Sequence, residues 1–409
     1  MTSNGERGRA ATGLVVAKGS FAAMGGAERD LMRNLPALAR RFAVSVATLH
    51  PVPELEALCS ELGISLISPE KPWEPPTGAL SAVLDAGMDS ASRAWAGCSG
   101  LHDAISDSDV VHLVSGDGSL ALLEHVPESM AVHLHLLEPH RGLHEDVLHR
   151  KVDGSPKRNL GLTSALLSRA RRRDIEFIRG LTDRPRSAIS GNSSYTAGRI
   201  GEVYGVEAGV LLPSVVADEF PSEAGSDEPV AVGDMPRPYA VSVGRASWVK
   251  GTWGAVSMLA GSGVSLAHVG GGEADDLARL ADHASSCGVG LWVAPRLSSP
   301  ELASLMRGAR AVVSMAHGEP FGLTPVEAFS VGTPALFVDE GGFRDTVIDG
   351  ANGRLLERGD QAAWHSALEQ AADAQTRARW AEAGRSRIAE LDLSPEAHCS
   401  RLAAILDSL

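Results

Sequence analysis

Two glutamates, Glu319 and Glu327, bracket the phrase Pro320-Phe321-Gly322-Leu323-Thr324-Pro325, a spacing suited to holding a phosphorylated ligand. Pro325 fits the first turn of a helix, where its missing N–H would be orphaned in any case. The amides of Gly322, Leu323 and Thr324 then open that helix. Unpaired N–H groups and the helix dipole both favour negative charge there. Glu319 falls in the loop and Glu327 inside the helix, facing the same crevice. Upstream, Gly244-Arg245-Ala246-Ser247-Trp248-Val249-Lys250-Gly251 carries two cations. A forked guanidinium beside a mobile ammonium suits a diphosphate.

These groups need strands to place them. Ala311–Val313 reads as a short buried strand that ends before Glu319, and Tyr239–Val243 as one that ends before Arg245 and Lys250. Ligands of open parallel sheets collect at strand carboxyl ends. Val264–Val269 runs into Gly270-Gly271-Gly272, Val289–Val293 into Ala294-Pro295-Arg296, and Pro334–Val338 into Gly341-Gly342. At the front, Leu14–Ala17, a turn containing Gly25-Gly26, a one-sided helix with Leu31, Leu35 and Leu38, and Phe42–Leu49 make a βαβ unit. It lacks a full G-x-G-x-x-G, so a dinucleotide site is weakly supported. Leu80–Ile105 has a helical pattern, and Leu120 onward does too. Met130–Leu137 is a strand that leads into Glu138-Pro139-His140-Arg141. Val206–Leu212 is the last strand of this half. Ser214–Pro238 is polar and rich in Pro, Gly and acids, as linkers are.

The run EPFGLTPVEAFSVGTPALFVDEGG, followed by DGANGRLL, resembles the E-x7-E signature of retaining glycosyltransferases of family 4. G-R-x4-K-G resembles that family's phosphate loop, GGAER its first-domain diphosphate loop, and Gly191-Asn192-Ser193-Ser194-Tyr195 its A-N-S-x-[FY] phrase. The resemblance implies an α/β GT-B fold, two Rossmann-like domains facing a central cleft. Residues 1–213 would form the acceptor-binding domain, 214–238 the linker, 239–393 the donor-binding domain, and 394–409 a helix crossing back to the first.

It also implies transfer from a nucleotide-diphosphate sugar, of UDP or GDP type, to a small-molecule or glycan acceptor. No metal and no cofactor are expected. Glu319, Arg245, Lys250 and His135 would be catalytic. Gly25, Gly26, Arg141, Gly244, Gly271, Arg296, Phe321, Gly322, Leu323, Thr324 and Glu327 would join Arg245, Lys250 and Glu319 in donor binding. Leu137-Glu138-Pro139-His140-Arg141 resembles a His- or Gln-Glu-Pro-x-Arg phrase of some family members, whose histidine, where present, touches the donor sugar; this chain has Leu137 in that place. Either His135 or Leu137 then faces the sugar, and Leu137 there would favour a donor altered at the position it meets. Trp73, in SPEKPWEPPT, is either an acceptor contact or a packing residue. Two other readings stay open: an epimerase or hydrolase of the same fold, and an inactive sugar-nucleotide binder.

Composition narrows the class. With 409 residues the chain needs more than one core. A formal net charge of −14 argues against nucleic acid or an anionic membrane as the main target. Cys59, Cys98, Cys287 and Cys399 have no metal-ligand spacing and read as reduced thiols. No apolar run is long enough for a transmembrane segment, and MTSNGERGRA lacks the apolar core of a signal peptide, so a cytoplasmic setting is expected. Abundant Ala, Gly and Arg suggest a GC-rich bacterial source.

Overall fold

The computed structural model describes residues 11–76, 86–215, 235–295 and 297–409. The first seven strands are β1 (Gly13–Lys18), β2 (Ala43–Ala47), β3 (Ser65–Ile67), β4 (Val110–Val114), β5 (Ala131–His135), β6 (Ser187–Gly191) and β7 (Gly209–Val210). They form one sheet in the order β3-β2-β1-β4-β5-β6-β7. The second sheet holds β8 (Tyr239–Val243), β9 (Ser265–Val269), β10 (Leu291–Val293), β11 (Ala311–Ser314), β12 (Ala335–Val338) and β13 (Gly353–Leu356). Its order is β10-β9-β8-β11-β12-β13. Every pairing is parallel. Parallel strands are covered on both faces, so they read as unbroken apolar runs. All six residues of β1 are accordingly buried, Lys18 included.

In each sheet the strand order reverses beside the first strand. The switch lies between β1 and β4 in one and between β8 and β11 in the other. Such points open a crevice at the carboxyl ends of the strands. The helix Gly26–Arg41 follows β1, with Glu28 in its first turn and Arg40 and Arg41 in its last, matching the helix dipole. The terminal helix Pro395–Asp407 packs on the first sheet's core rather than the second's. Cys399, Leu402 and Ala403 are buried with Leu14, Val16, Leu35 and Leu38.

Several elements differ from the sequence reading. The run from Leu80 is two helices, Ala86–Ala96 and Leu101–Ser106, because Gly97 and a left-handed Gly100 break it; residues 77–85 lie outside the described residues. Leu120–His125 is a 3-10 turn. Val206–Leu212 shrinks to the two residues of β7. Most of the expected linker, 216–234, also lies outside the described residues. Among the described residues, no helix is long and apolar enough to cross a membrane.

Candidate active site

The second-domain switch point brings the loops after β8 and β11 into contact, and glycines permit it. Gly251 has φ +64°, and a Cβ there would lie 1.8 Å from the Met315 carbonyl oxygen. The β8 loop therefore sits directly on the end of β11. This seating delivers the Lys250 ammonium to Glu319, where it donates to Oε2 at 2.8 Å. Gly244 (φ +130°) lets the Lys250 stem pass, and Ala246 donates its N–H to the Gly271 carbonyl at 2.7 Å, tying the β8 and β9 loops together. Arg245 projects from the same loop and is exposed.

Glu319 is held from behind by the Gly341-Gly342 turn. Gly342 donates its N–H to the Glu319 carbonyl at 2.7 Å, and a Cβ on Gly341 would come within 2.6 Å of that oxygen. Gly322, at φ +80°, passes against the Phe343 ring, and the helix Thr324–Ser330 then begins, carrying Glu327 half-buried in its first turn. Leu323 and Thr324 start that helix as expected. Phe321 does not point into the crevice. Its ring is buried in a small cluster with Val326 and Leu393, so only its backbone can serve a donor.

The first domain closes the other side. Arg141, placed just after β5, is buried; it donates to the His317 carbonyl at 2.6 Å and to Glu145 at 3.0 Å. It therefore acts as a tie across the cleft, not as a free cation. Ser193 and Thr196 at the start of helix Ser194–Tyr204 donate hydroxyls to the Pro320 carbonyl, and the Ser194 N–H binds Asp345 at 2.6 Å. On the opposite flank Trp248 stacks on His317 with centroids 4.6 Å apart and lies over Gly154 of the first domain. Burial, then the Arg358 cation, pushes His317 down to about 4, so it is neutral at pH 7.

Gly25 and Gly26 open the first-domain helix at the end of β1. The Gly25 N–H is taken by Glu28, which also pairs with the buried Lys18 at 3.1 Å. Arg296 lies outside the described residues. Trp73 is a packing residue: its ring is buried and its indole donates to Ser90 at 2.9 Å.

His135 is corrected by the structure. It is 2% exposed and belongs to a stack with His112 and His133, its ring centroid 6.3 Å from His398 of the terminal helix. Strand alternation put it on the face that this helix covers, away from the cleft. Burial holds all three strand histidines well below the usual range, so they are neutral. Leu137 is half-buried against the same first-domain core and donates its N–H to the Ser115 hydroxyl. The residue that enters the cleft is Glu138. It lines a crevice with Arg141, Glu145, Tyr195, Gly318 and Pro320. Sequence reasoning passed over it, although it stands inside the Glu-Pro-x-Arg phrase.

Similar proteins agree with this architecture. Anabaena Alr3699/HepE, solved in complex with UDP and glucose, superposes with TM-score 0.64 at 17% identity over 97% of this chain and 99% of that one. Sucrose-phosphate synthase from Thermosynechococcus elongatus superposes with TM-score 0.71 at 17% identity, covering 97% and 98%. The fold is GT-B. Within it, residues 229–387 match the family model described as Glycosyl transferases group 1. D-inositol 3-phosphate glycosyltransferases are among the curated relatives. That of Xylanimonas cellulosilytica is 32% identical over 43% of this chain and 46% of its own length. That of Streptosporangium roseum is 34% identical over 30% and 32%. The aligned part thus spans less than half the length of these relatives.

Proposed function

We propose that this GT-B protein is a metal-independent, retaining glycosyltransferase that moves a sugar from a UDP- or GDP-type donor to a small-molecule or glycan acceptor. The reading rests on one observation: Lys250 and Glu319 meet at 2.8 Å at the switch point of the second sheet. A nucleoside diphosphate leaving group gains charge as its bond to the sugar breaks. Fixed positive charge and donors aimed at those oxygens lower that barrier. Lys250, Arg245 and the Gly322–Thr324 amides would supply them, and Glu327 would take the ribose hydroxyls. Glu319 would hold the sugar hydroxyls beside the diphosphate. Retention would follow from acceptor attack on the face the leaving group vacates, with a phosphate oxygen receiving the proton. The match to group 1 glycosyl transferases and the complex of HepE with UDP and glucose support this donor class.

The acceptor would approach from the first domain. A hollow of about 180 Å³ opens there beside Glu145, walled by Leu143, His144, His149, Thr163, Leu167 and Arg171. The test is to incubate the protein with a panel of UDP- and GDP-hexoses, with EDTA or with Mg²⁺, and to follow nucleoside diphosphate release. NMR of the product then reads the anomeric configuration. Release in EDTA with retained configuration is expected. Release that needs Mg²⁺, or an inverted product, refutes the corresponding part. An epimerised donor without release refutes transfer itself.

A further inference from the structure

We propose that Glu138 is the first-domain group that binds the transferred sugar, its carboxyl hydrogen-bonded to a sugar hydroxyl opposite Glu319. This rests on the donor reading above and names a residue for it. Gly318 and Pro320, the two neighbours of Glu319, wall the same crevice as Glu138 from the other side. That crevice is only about 10 Å³, too small for a sugar ring, so a sugar projecting from a diphosphate on Lys250 would lie across its mouth, where Glu138 is within electrostatic reach of both Glu319 and Lys250. Of the two earlier candidates, His135 lies in the buried histidine stack, and Leu137, half-buried against the first-domain core, offers a sugar no side-chain hydrogen bond. Glu138 is a polar side chain at this strand end that lines the crevice.

Its surroundings set its charge. Arg141 stands 3.8 Å away but is itself committed to Glu145 and to the His317 carbonyl. Tyr195 and Arg199 face it from helix Ser194–Tyr204, and Arg199 pairs with Glu145 and Glu202. Burial pushes the Glu138 carboxyl up to about 7; Arg141 opposes this, Glu319 adds to it, Lys250 opposes it and Glu145 adds to it. A donor diphosphate brings further negative charge, which favours the neutral acid. The protonated form donates a hydrogen bond to a sugar oxygen, which the ionised form cannot do and bare nucleoside diphosphate does not receive. Sugar binding through this donated bond therefore weakens as pH rises through about 7.

The experiment is calorimetric titration of the intact protein, from about pH 6 to about pH 8.5, with UDP, GDP and a panel of their hexose conjugates. The readout is the affinity of the best nucleotide sugar divided by that of its bare nucleoside diphosphate. In the wild type this ratio should fall with rising pH above 7, by up to about tenfold per unit. Glu138→Ala should lower it about tenfold at pH 6, the loss of one hydrogen bond. Glu138→Gln, a mimic of the neutral acid, should restore most of it and flatten the pH dependence. Bare nucleotide should bind both variants within about threefold of wild type. A ratio unaffected by Glu138→Ala, or a pH slope that persists in Glu138→Gln, overturns the proposal while leaving the donor site standing. If neither UDP nor GDP binds the wild type, the donor reading fails and the proposal falls with it.

Discussion

Removing the Lys250 ammonium tests the centre of the site. In the free protein it donates to Glu319 at 2.8 Å, with 37% of the lysine side chain and 17% of the glutamate still exposed. An ion pair this accessible is worth less than about 1 kcal/mol to stability, so Lys250→Ala should fold normally. Its effect on ligands should be larger. A charge-assisted hydrogen bond to a diphosphate contributes about 1.5–3 kcal/mol, which is roughly ten- to a hundredfold in affinity. The variant also leaves Glu319 unneutralised next to the incoming phosphates. Glu319→Gln should behave oppositely: it frees Lys250 from its partner and should leave nucleoside diphosphate binding within about threefold of wild type, while turnover falls strongly. In the double variant Lys250→Ala/Glu319→Gln, the repulsion disappears and affinity should recover part of the loss. Titrating all four proteins with UDP and GDP reads this cycle. Equal affinity of Lys250→Ala and wild type for the nucleotide that binds would end the phosphate assignment. A double variant no tighter than Lys250→Ala would show that Glu319 does not face the same ligand.

Gly251→Ala places a methyl 1.8 Å from the Met315 carbonyl at φ +64°, so it should destabilise by about 2–4 kcal/mol and weaken nucleotide binding together; an unchanged urea midpoint would contradict the seating of the two loops. Glu327→Gln should weaken the nucleotide through the ribose, and a 2′,3′-dideoxy nucleotide that binds the wild type as well as its parent would remove that role. His112, His133, His135 and His317 are all held below their ordinary value. The unfolded chain binds protons on them first, so stability should fall as pH drops below about 6.5, by up to ~1.4 kcal/mol per pH unit for each. Denaturant midpoints that do not change between about pH 7 and pH 5 would refute the neutral stack.

The second-domain loops were legible in the sequence because their geometry is local. Glycines at Gly244, Gly251, Gly322 and Gly341 announce positive φ and close approach, and Lys250 and Glu319 each follow a short apolar strand by a fixed count of residues. The wall of the first domain was not. Strand alternation places His133 and His135 on one face, yet which face is covered depends on a helix more than two hundred and fifty residues downstream, and no local pattern carries that. Arg141 reads from sequence as a donor-binding residue, and its commitment to the His317 carbonyl exists only once both domains are folded. Phe321 misled for a related reason: its backbone belongs to the ligand loop while its ring anchors that loop to Leu393. Glu138 carries no periodic signal, since a polar residue after a strand looks like any loop residue.

The Val215 N–H donates to the Leu393 carbonyl at 2.7 Å, so the outgoing and returning passages of the chain lie side by side. The second sheet is therefore an insertion between two segments of the first domain's core, one ending near Val215 and the other being the helix Pro395–Asp407. On a ribosome this reverses the usual order of events. The first domain is made first but lacks Cys399, Leu402 and Ala403 from its core until residues near 407 emerge, whereas the second sheet is complete once β13 has appeared. Domains generally fold as units when their segments are available. The second domain's core closes with Trp364 and Trp380, before the terminal helix exists, so the part of the first domain that this helix covers, along helix Gly26–Arg41 and β5, stays open throughout the synthesis of its neighbour.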